Sequence, residues 1–213
     1  DGQRARGLNR HMQAARGEIL AFIDDDAYAP VDWLSKLGAH FSDPSVGAVG
    51  GPDLILGDPD SYHKVEVDEV GQLKWYGKVV GHHHHRVKGG VREVQVLKGV
   101  NMAFRRQFTR PLDEKGLSGH GHAKGNGAYW ELDFCLRARE LGARLIFDPA
   151  LLVQHDSNHD HFIPEEVMKN ASHNLAWVLW GHLGPWRRLI FLNYALWVGN
   201  AQLQGLVKTL WLW

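Results

Sequence analysis

A short apolar segment that runs into three acidic residues constrains the fold of this chain more than any other feature. The segment is ILAFIDDD, in which five apolar residues lead into Asp24, Asp25 and Asp26. The apolar run is too short for a helix and is typical of a strand buried on both faces. Adjacent carboxylates repel one another and aspartate is unfavourable in strands, so we expect positive charge to lie against them.

Helical and extended segments alternate after this strand and predict an α/β fold. A helix predicted over residues 30–41 begins at a proline, and the apolar strand SVGAVGG follows it. A helix between two buried strands indicates a βαβ unit and therefore a mainly parallel sheet. Further strands are predicted over residues 91–97 and 143–148, with a helix over residues 129–141.

Composition limits the class of protein. The 213 residues suffice for one domain with a large core. Twenty-four basic residues balance 24 acidic residues, so the net charge gives no support for a nucleic-acid partner. The single cysteine, Cys135, excludes an internal disulfide and suits a reducing compartment, so we expect a cytoplasmic protein.

From Pro164 onward the chain is predicted to be wholly helical, in contrast to the alternating helices and strands before it. Six of the nine tryptophans lie in this last quarter. Polar residues such as Asn193 and Lys208 interrupt the apolar pattern, which is unfavourable for a membrane-spanning helix. Two alternatives remain, namely an amphipathic helix in the membrane interface beside Arg187 and Arg188, or an ordinary helix packed on the domain.

The aspartate cluster is a candidate metal site. It follows a buried strand, and open α/β sheets bind ligands beyond the carboxyl ends of their strands. Carboxylate oxygens suit Mg²⁺ or Mn²⁺ held together with substrate phosphates. The alternative is a solvated acidic loop that caps the next helix. His155 directly follows another extended segment, so we expect it to point toward the same sheet edge.

A second acidic pair, Glu131 and Asp133, lies at the start of the helix predicted over residues 129–141. Residues two apart do not share a helix face, so joint ligation of one ion is not expected. The helix macrodipole alone favours carboxylates in a first turn. The preceding glycine-rich segment, residues 116–127, predicts a mobile loop that closes over substrate, so a carboxylate at this hinge is a candidate general base.

The other histidines fall into three groups. His82–His85 and the pair His120 and His122 lie in glycine-rich segments, where we expect solvated loops. The segment QHDSNHDH places His159 and His161 close to His155. A zinc site there has no support from a cysteine or an H-E-x-x-H pattern.

Four segments together resemble, in order along the chain, the family 2 glycosyltransferases of the GT-A fold: GLNRHMQAARGEILAFIDDDAYAPVDWL, VGAVGG, LKGVNMAFRR and YWELDFCLRARELGARLIFDPALLVQHD. The match covers about residues 7–156. It implies a partial catalytic domain of GT-A type (Rossmann-like) over residues 1–160, with a mainly parallel sheet flanked by helices, and a helical region over residues 161–213. The family segment that grips the base and ribose lies upstream of the matching residues.

The resemblance implies inverting, metal-dependent transfer of a sugar from a nucleotide-sugar donor to the hydroxyl of a glycan or lipid-linked acceptor, in the synthesis of cell-surface polysaccharide or glycolipid. It implies that Asp24, and less definitely Asp25, binds the donor. Asp26 and His155 are implied as ligands of Mg²⁺ or Mn²⁺.

The resemblance also implies roles for residues further along the chain. Gly99 and Asn101 match the family segment that lines the donor sugar and acceptor. The family has a glutamate–aspartate pair whose aspartate is the base, and here those two positions are Trp130 and Glu131. Glu131 is therefore the implied catalytic base, with Asp133 as the alternative.

A different class of function remains as a second hypothesis. A non-catalytic domain of the same fold would recognise a glycan or a membrane surface, and Trp130 in place of an acidic residue favours it. The three aspartates and Glu131 favour the enzyme. Family members that build lipid-linked glycans often work at the membrane, so the resemblance agrees with a peripheral location on the inner face of the cell membrane.

Overall fold

A computed structural model describes residues 4–118, 128–156, 165–199 and 205. Its α-helices are α1 (Arg4–Ala14), α2 (Trp33–His40), α3 (Pro59–Lys64), α4 (Trp130–Glu140), α5 (Glu165–His182) and α6 (Pro185–Asn193), and a π-helical turn, Tyr194–Val198, follows α6. Its strands are β1 (Ile19–Ile23), β2 (Ala27–Tyr28), β3 (Val46–Gly50), β4 (Asp53–Ile55), β5 (Glu66–Val67), β6 (Gln72–Leu73), β7 (Val79–Val80), β8 (Arg86–Val87), β9 (Arg92–Val94), β10 (Asn101–Arg105), β11 (Arg144–Phe147) and β12 (Val153–His155).

The main sheet has five strands in the order β1, β10, β3, β11, β9. It is mixed rather than mainly parallel, because β3 and β11 form the one parallel pair of neighbours in this sheet. The difference arises from β10, whose direction the sequence pattern did not indicate. This strand lies antiparallel between β1 and β3, so the two strands of the predicted βαβ unit run in the same direction without touching.

The prediction that β1 is buried on both faces is wrong. The strand lies at the edge of the main sheet and pairs with β10 alone. Leu20 and Phe22 face the core beneath α4, whereas Ala21 and Ile23 lie on the opposite face and are exposed. The core on that second face, which contains α2, includes Ile19 at the start of β1 but leaves Ala21 and Ile23 exposed.

Helices cover both faces of the central strands, so successive residues of one strand enter different cores. On β10, Met102 and Phe104 pack in the core that contains α4 and α5, while Ala103 packs in the core that contains α2. This alternation follows from the two-residue period of a strand. It explains why β3 and β10 are buried almost throughout.

Three smaller sheets complete the described fold. The first has the order β2, β12, β4 and lies beyond the end of β1, while β5 pairs with β8 and β6 with β7. The prediction that His82–His85 form a solvated loop is wrong. His83 is 3% exposed and contacts the ring of Phe147, and the other three histidines are partly buried.

The C-terminal region is helical in α5, α6 and the π-helical turn, with a break between α5 and α6 at residues 183–184. It is therefore not one continuous helix. Within the described residues, no helix combines the length and the apolar character needed to cross a bilayer. The predicted loop at 119–127, the histidines at 120, 122, 159 and 161, and the end of the tail beyond 205 lie outside the described residues.

Asn101 joins three segments around the first residues of β10. Its Nδ2 donates to the carbonyl oxygens of Pro52 at 2.9 Å and Leu151 at 2.5 Å. Its Oδ1 accepts a hydrogen bond from Nε1 of Trp33 at 2.9 Å. The side chain is fully buried, so without it the Trp33 indole and the Leu151 carbonyl would lose a buried partner, while the Pro52 carbonyl would keep its hydrogen bond from the Val153 amide.

Asn101→Ala should therefore lower the free energy of unfolding by about 3 kcal/mol, since it leaves the buried Trp33 indole and Leu151 carbonyl without this partner. Urea unfolding monitored by circular dichroism measures this. Asn193→Ala is the matched control, because that exposed amide bonds only to its own helix at Leu189 and should cost less than about 0.5 kcal/mol. An equal decrease in the free energy of unfolding for the two variants would contradict the role assigned to Asn101.

His182 ties α5 to α4 through two carboxylates. Its Nε2 lies 2.9 Å from Oδ1 of Asp133, and its Nδ1 lies 2.7 Å from Oε1 of Glu140. Partial burial opposes the charged imidazolium, but the two carboxylates outweigh it and raise the pKa of His182 above its ordinary value.

This raised pKa predicts a pH-dependent contribution to stability. The folded chain holds the proton more tightly than the unfolded chain, so the contribution is complete below the unfolded pKa and is lost as pH rises through the folded pKa. The urea midpoints of wild type and His182→Gln should differ more at about pH 6 than at about pH 9. His63→Gln, at an exposed histidine of α3, should show the same small difference at both. A His182→Gln difference that grows with pH would contradict the assignment.

Candidate active site

Two predicted metal ligands, Asp26 and His155, converge with Asp24, a predicted donor-binding residue, beyond the end of β1. Asp24, Asp26 and His155 each offer one ligand atom, and these atoms all lie within 4.8 Å of one another. Asp24 and Asp26 follow β1 directly, and β12 brings His155 to them because it pairs with β2 in the register His155 to Ala27. Nε2 of His155 lies 3.2 Å from Oδ1 of Asp26.

Asp25 lies apart from this group. It is exposed, whereas Asp24 and Asp26 are partly buried. The chain turns here, since the amide of Ala27 donates to the carbonyl oxygen of Asp24 at 3.1 Å, and Asp25 lies on the exposed side of this turn. The structure therefore brings Asp24 and Asp26 together with His155 and leaves Asp25 in solvent.

A buried carboxylate that the sequence analysis missed supports His155. Asp53 is fully buried at the start of β4, and its Oδ2 lies 3.5 Å from Nδ1 of His155. Nζ of Lys98 lies 2.6 Å from the same oxygen. Burial would raise the pKa of Asp53, but the contacts with His155 and Lys98 lower it to about 2, so the carboxylate is charged at neutral pH.

Two histidines behind this carboxylate are neutral at physiological pH. Burial, assisted by the charge of Lys98, lowers the pKa of His83 and of His84 to about 4. Nε2 of His83 lies 3.2 Å from the carbonyl oxygen of Val96. Lys98 is therefore the cation closest to the buried carboxylate among these groups, and Asp53 is its counter-ion.

Glu131 lies in the first turn of α4, within the electrostatic reach of Asp24. Burial raises the pKa of Glu131 above its ordinary value. The charge of Asp24 also raises this pKa, whereas the charges of Arg4 and Lys98 lower it. The residue before the helix, Tyr129, has a left-handed backbone with a φ of 68°. Such a conformation is uncommon for a residue other than glycine and occurs most often where function requires it.

Asp133 faces away from this group. Its Oδ1 bonds to His182, and its Oδ2 lies 2.8 Å from Nε of Arg137. It lines a different cleft, on the side of α4 that packs against α5. Two positions correspond to about 200° on a helix, which places Glu131 and Asp133 on different faces. The alternative base therefore has structural partners and is not brought to the candidate site.

A cleft of about 390 Å³ opens beside β1 and Asp24. Apolar residues of α1 and β1 form most of its wall, and Gly99 and Trp130 complete it. A Cβ atom on Gly99 would lie 2.8 Å from the indole ring of Trp130, closer than such atoms pack. The absence of a side chain at Gly99 thus allows Trp130 to form the floor of the cleft.

The prediction that Asn101 binds substrate does not fit its position. The side chain is fully buried, and its hydrogen bonds all go to Trp33, Pro52 and Leu151. It shapes the site by fixing the loop that precedes Asp53. Gly99, in the same segment, lines the cleft.

The residues present suit a divalent cation. Two carboxylates and one imidazole offer ligands that Mn²⁺ accepts, and the carboxylates also suit Mg²⁺. Histidines that bind metals usually have a carboxylate against the other ring nitrogen, which sets the orientation of the ring. Asp53 occupies that position relative to His155.

Few features of the sequence identify Asp53 and Lys98, which the sequence analysis missed. Asp53 follows the glycines of GGPDL, and Lys98 precedes the glycine of LKGVN. A charged residue beside a glycine at a strand boundary is common in ordinary loops. The position of Asp53 beside His155 appears only when β4 and β12 pair, which joins positions about a hundred residues apart.

Comparisons with known proteins relate the chain to glycosyltransferases. The model of the family described as Glycosyl transferase family 2 matches residues 2–112, which are 111 of the 213 residues. The "Pre-mycofactocin glycosyltransferase" of Mycobacterium tuberculosis is 26% identical over 155 residues, covering 71% of this chain and 30% of that protein. The "Glucosyl-dolichyl phosphate glucuronosyltransferase" of Haloferax volcanii is 27% identical over 148 residues, covering 65% of this chain and 43% of that protein. The chain thus spans less than half the length of these relatives.

The fold has a counterpart among solved structures. GalNAc-T7, crystallised with UDP, GalNAc and Mn²⁺, superposes with a TM-score of 0.53 over 83% of this chain and 34% of its own, at 15% identity. This likeness confirms the predicted α/β fold of GT-A type, with the mixed sheet described above. The match to the family model shows that the chain belongs to glycosyl transferase family 2.

Proposed function

We propose that this chain forms part of a metal-dependent glycosyltransferase, which moves a sugar from a nucleotide-sugar donor to an acceptor hydroxyl with inversion at the anomeric carbon. The observation that carries the proposal is the convergence of Asp24, Asp26 and His155 within 4.8 Å, next to a cleft and a carboxylate with a raised pKa. Residues 1–160 belong to the catalytic domain, and residues 161–213 are an appended helical region.

Asp26 and His155 would hold the divalent ion, and Asp24 would bind the donor. Mg²⁺ or Mn²⁺ bound there supplies positive charge against the charge that develops on the departing nucleoside diphosphate. Asp53 fixes the orientation of His155, and Lys98 keeps that buried carboxylate ionised. Gly99 and Trp130 line the cleft in which the donor sugar is oriented.

Glu131 is the general base. The acceptor oxygen attacks the anomeric carbon as the bond from that carbon to the diphosphate oxygen breaks, and Glu131 takes the hydroxyl proton. A single displacement of this kind inverts the configuration, since no protein nucleophile intervenes. A base is most effective when its pKa approaches the working pH, which agrees with the raised pKa of Glu131.

The acceptor is a glycan or a lipid-linked sugar, in the synthesis of cell-surface polysaccharide or glycolipid. The name of the Haloferax volcanii relative, which specifies a sugar on dolichyl phosphate, supports a lipid-linked acceptor. The name of the mycobacterial relative specifies a different acceptor, so product analysis must identify the one used here.

Asp26→Asn should weaken Mn²⁺-dependent binding of UDP or GDP by at least about tenfold, because it removes a charged ligand from the ion. Titration calorimetry with each nucleotide, with and without Mn²⁺, measures the effect. Asp25→Asn is the matched control and should bind as wild type does, since that neighbouring aspartate lies in solvent. Wild-type affinity in Asp26→Asn would overturn the metal assignment.

Glu131→Gln should retain nucleotide binding and slow the reaction by about a hundredfold or more, as expected for loss of a general base. The slow hydrolysis of UDP- and GDP-sugars, in which water replaces the acceptor, provides an assay that needs no acceptor. Asp133→Asn is the comparison and should alter stability more than rate. If Asp133→Asn loses the activity and Glu131→Gln keeps it, the base is wrongly assigned.

The non-catalytic alternative makes a different prediction for the same assays. Trp130, which is 3% exposed and packs between Phe22 and Phe134, stands where the family has an acidic residue. A protein that binds a glycan without turning over any nucleotide sugar would favour this alternative. Turnover that is lost in Glu131→Gln excludes it.

A further inference from the structure

Helix α6 exposes an apolar face to solvent. Trp186, Leu189, Leu192 and Leu196 recur at helical spacing and are about half exposed or more, with Trp186 at 80%. Phe191, on the opposite side of the helix, is 3% exposed and packs in the main core. Surface helices normally place their apolar residues inward, so this helix carries an additional face that the fold does not use.

Two arginines of α6 contact neighbouring tryptophans. Arg188 lies over the ring of Trp180 at 5.2 Å from the ring centre, and its Nε donates to the Trp180 carbonyl oxygen at 2.7 Å. Arg187 donates from Nε to the carbonyl oxygen of Trp75 at 3.0 Å. Trp75 and Trp180 are 66% and 45% exposed. A rim of two exposed tryptophans and two guanidinium groups therefore borders α6.

The C-terminal segment that carries this face has charged residues of one sign only. After Glu166 the sequence contains no aspartate or glutamate, whereas Lys169, Arg187, Arg188 and Lys208 lie in the same stretch. Within the described part of the chain, neither Arg187 nor Arg188 forms an ion pair with a carboxylate. The chain as a whole has no formal net charge, so this region concentrates positive charge that is balanced elsewhere.

We propose that the apolar face of α6, with its rim of Trp75, Trp180, Arg187 and Arg188, docks on the surface of an anionic lipid bilayer. Exposed leucines enter the boundary between headgroups and acyl chains, and tryptophan rings favour the headgroup level. Arginines at that level attract anionic lipids. A bilayer surface matches all three features, and the lack of acidic residues after Glu166 agrees with its negative charge.

Vesicle flotation with the 213-residue chain tests the proposal. The protein should bind phosphatidylcholine vesicles that also contain phosphatidylglycerol, and should bind vesicles of phosphatidylcholine alone more weakly. The double variant Trp186→Ser, Leu189→Ser should bind about tenfold more weakly or worse, because two apolar side chains that would be buried in the bilayer are replaced by small polar ones. The double variant Val31→Ser, Leu34→Ser is the matched control, since these apolar side chains are exposed on another surface.

Arg187→Gln and Arg188→Gln separate the electrostatic contribution from the apolar one. Each should reduce binding to the anionic vesicles about fivefold, with little change on phosphatidylcholine alone. High salt should reduce wild-type binding in the same way. Arg16→Gln, at an exposed arginine beyond α1, is the control for charge. Circular dichroism confirms that each variant retains its fold.

Three outcomes would overturn the proposal: wild type fails to bind anionic vesicles, the α6 variants bind as wild type does, or the α6 face closes a dimer. Light scattering after gel filtration detects the dimer, which the Trp186→Ser, Leu189→Ser variant would then dissociate. Vesicle binding requires neither donor nor metal. Loss of the proposed transferase activity and failure of membrane docking are therefore measured separately.

Discussion

The candidate site depends on one buried charge, the carboxylate of Asp53. A carboxylate without solvent is costly unless a cation and hydrogen bonds compensate it, and here Lys98 and His155 provide that compensation. The three residues come from β4, from the turn before β10 and from β12, so the ion pair fixes the separation of three segments. Asn101 fixes the same loop from the other side. The position of His155 opposite Asp26 follows from these constraints.

The two carboxylates of α4 show how local geometry separates chemical roles. Glu131 faces the aspartate cluster, while Asp133 faces α5 and is neutralised by His182 and Arg137. A helix turns by about 100° for each residue, so a separation of two positions sends neighbouring acids to opposite environments. One of them keeps a raised pKa and the other becomes part of the packing.

Local patterns predicted much of the fold and part of the site. The helix α4, the strand β1 and the grouping of Asp24, Asp26 and His155 follow from periodicity, strand ends and the family resemblance. The mixed sheet did not follow, because the direction of β10 depends on its partners. Burial of His83 and the role of Asp53 also depend on contacts between distant segments, and no local pattern contains them.

The outward-facing tryptophans and leucines of α6 also bear on how the protein behaves in solution. The chain has equal numbers of acidic and basic residues and an isoelectric point of about 7.4, so near neutral pH its molecules repel one another little. An exposed apolar face without colloidal repulsion favours self-association. The purified chain should accordingly stay dispersed more readily in mild detergent, or in a buffer well away from its isoelectric point.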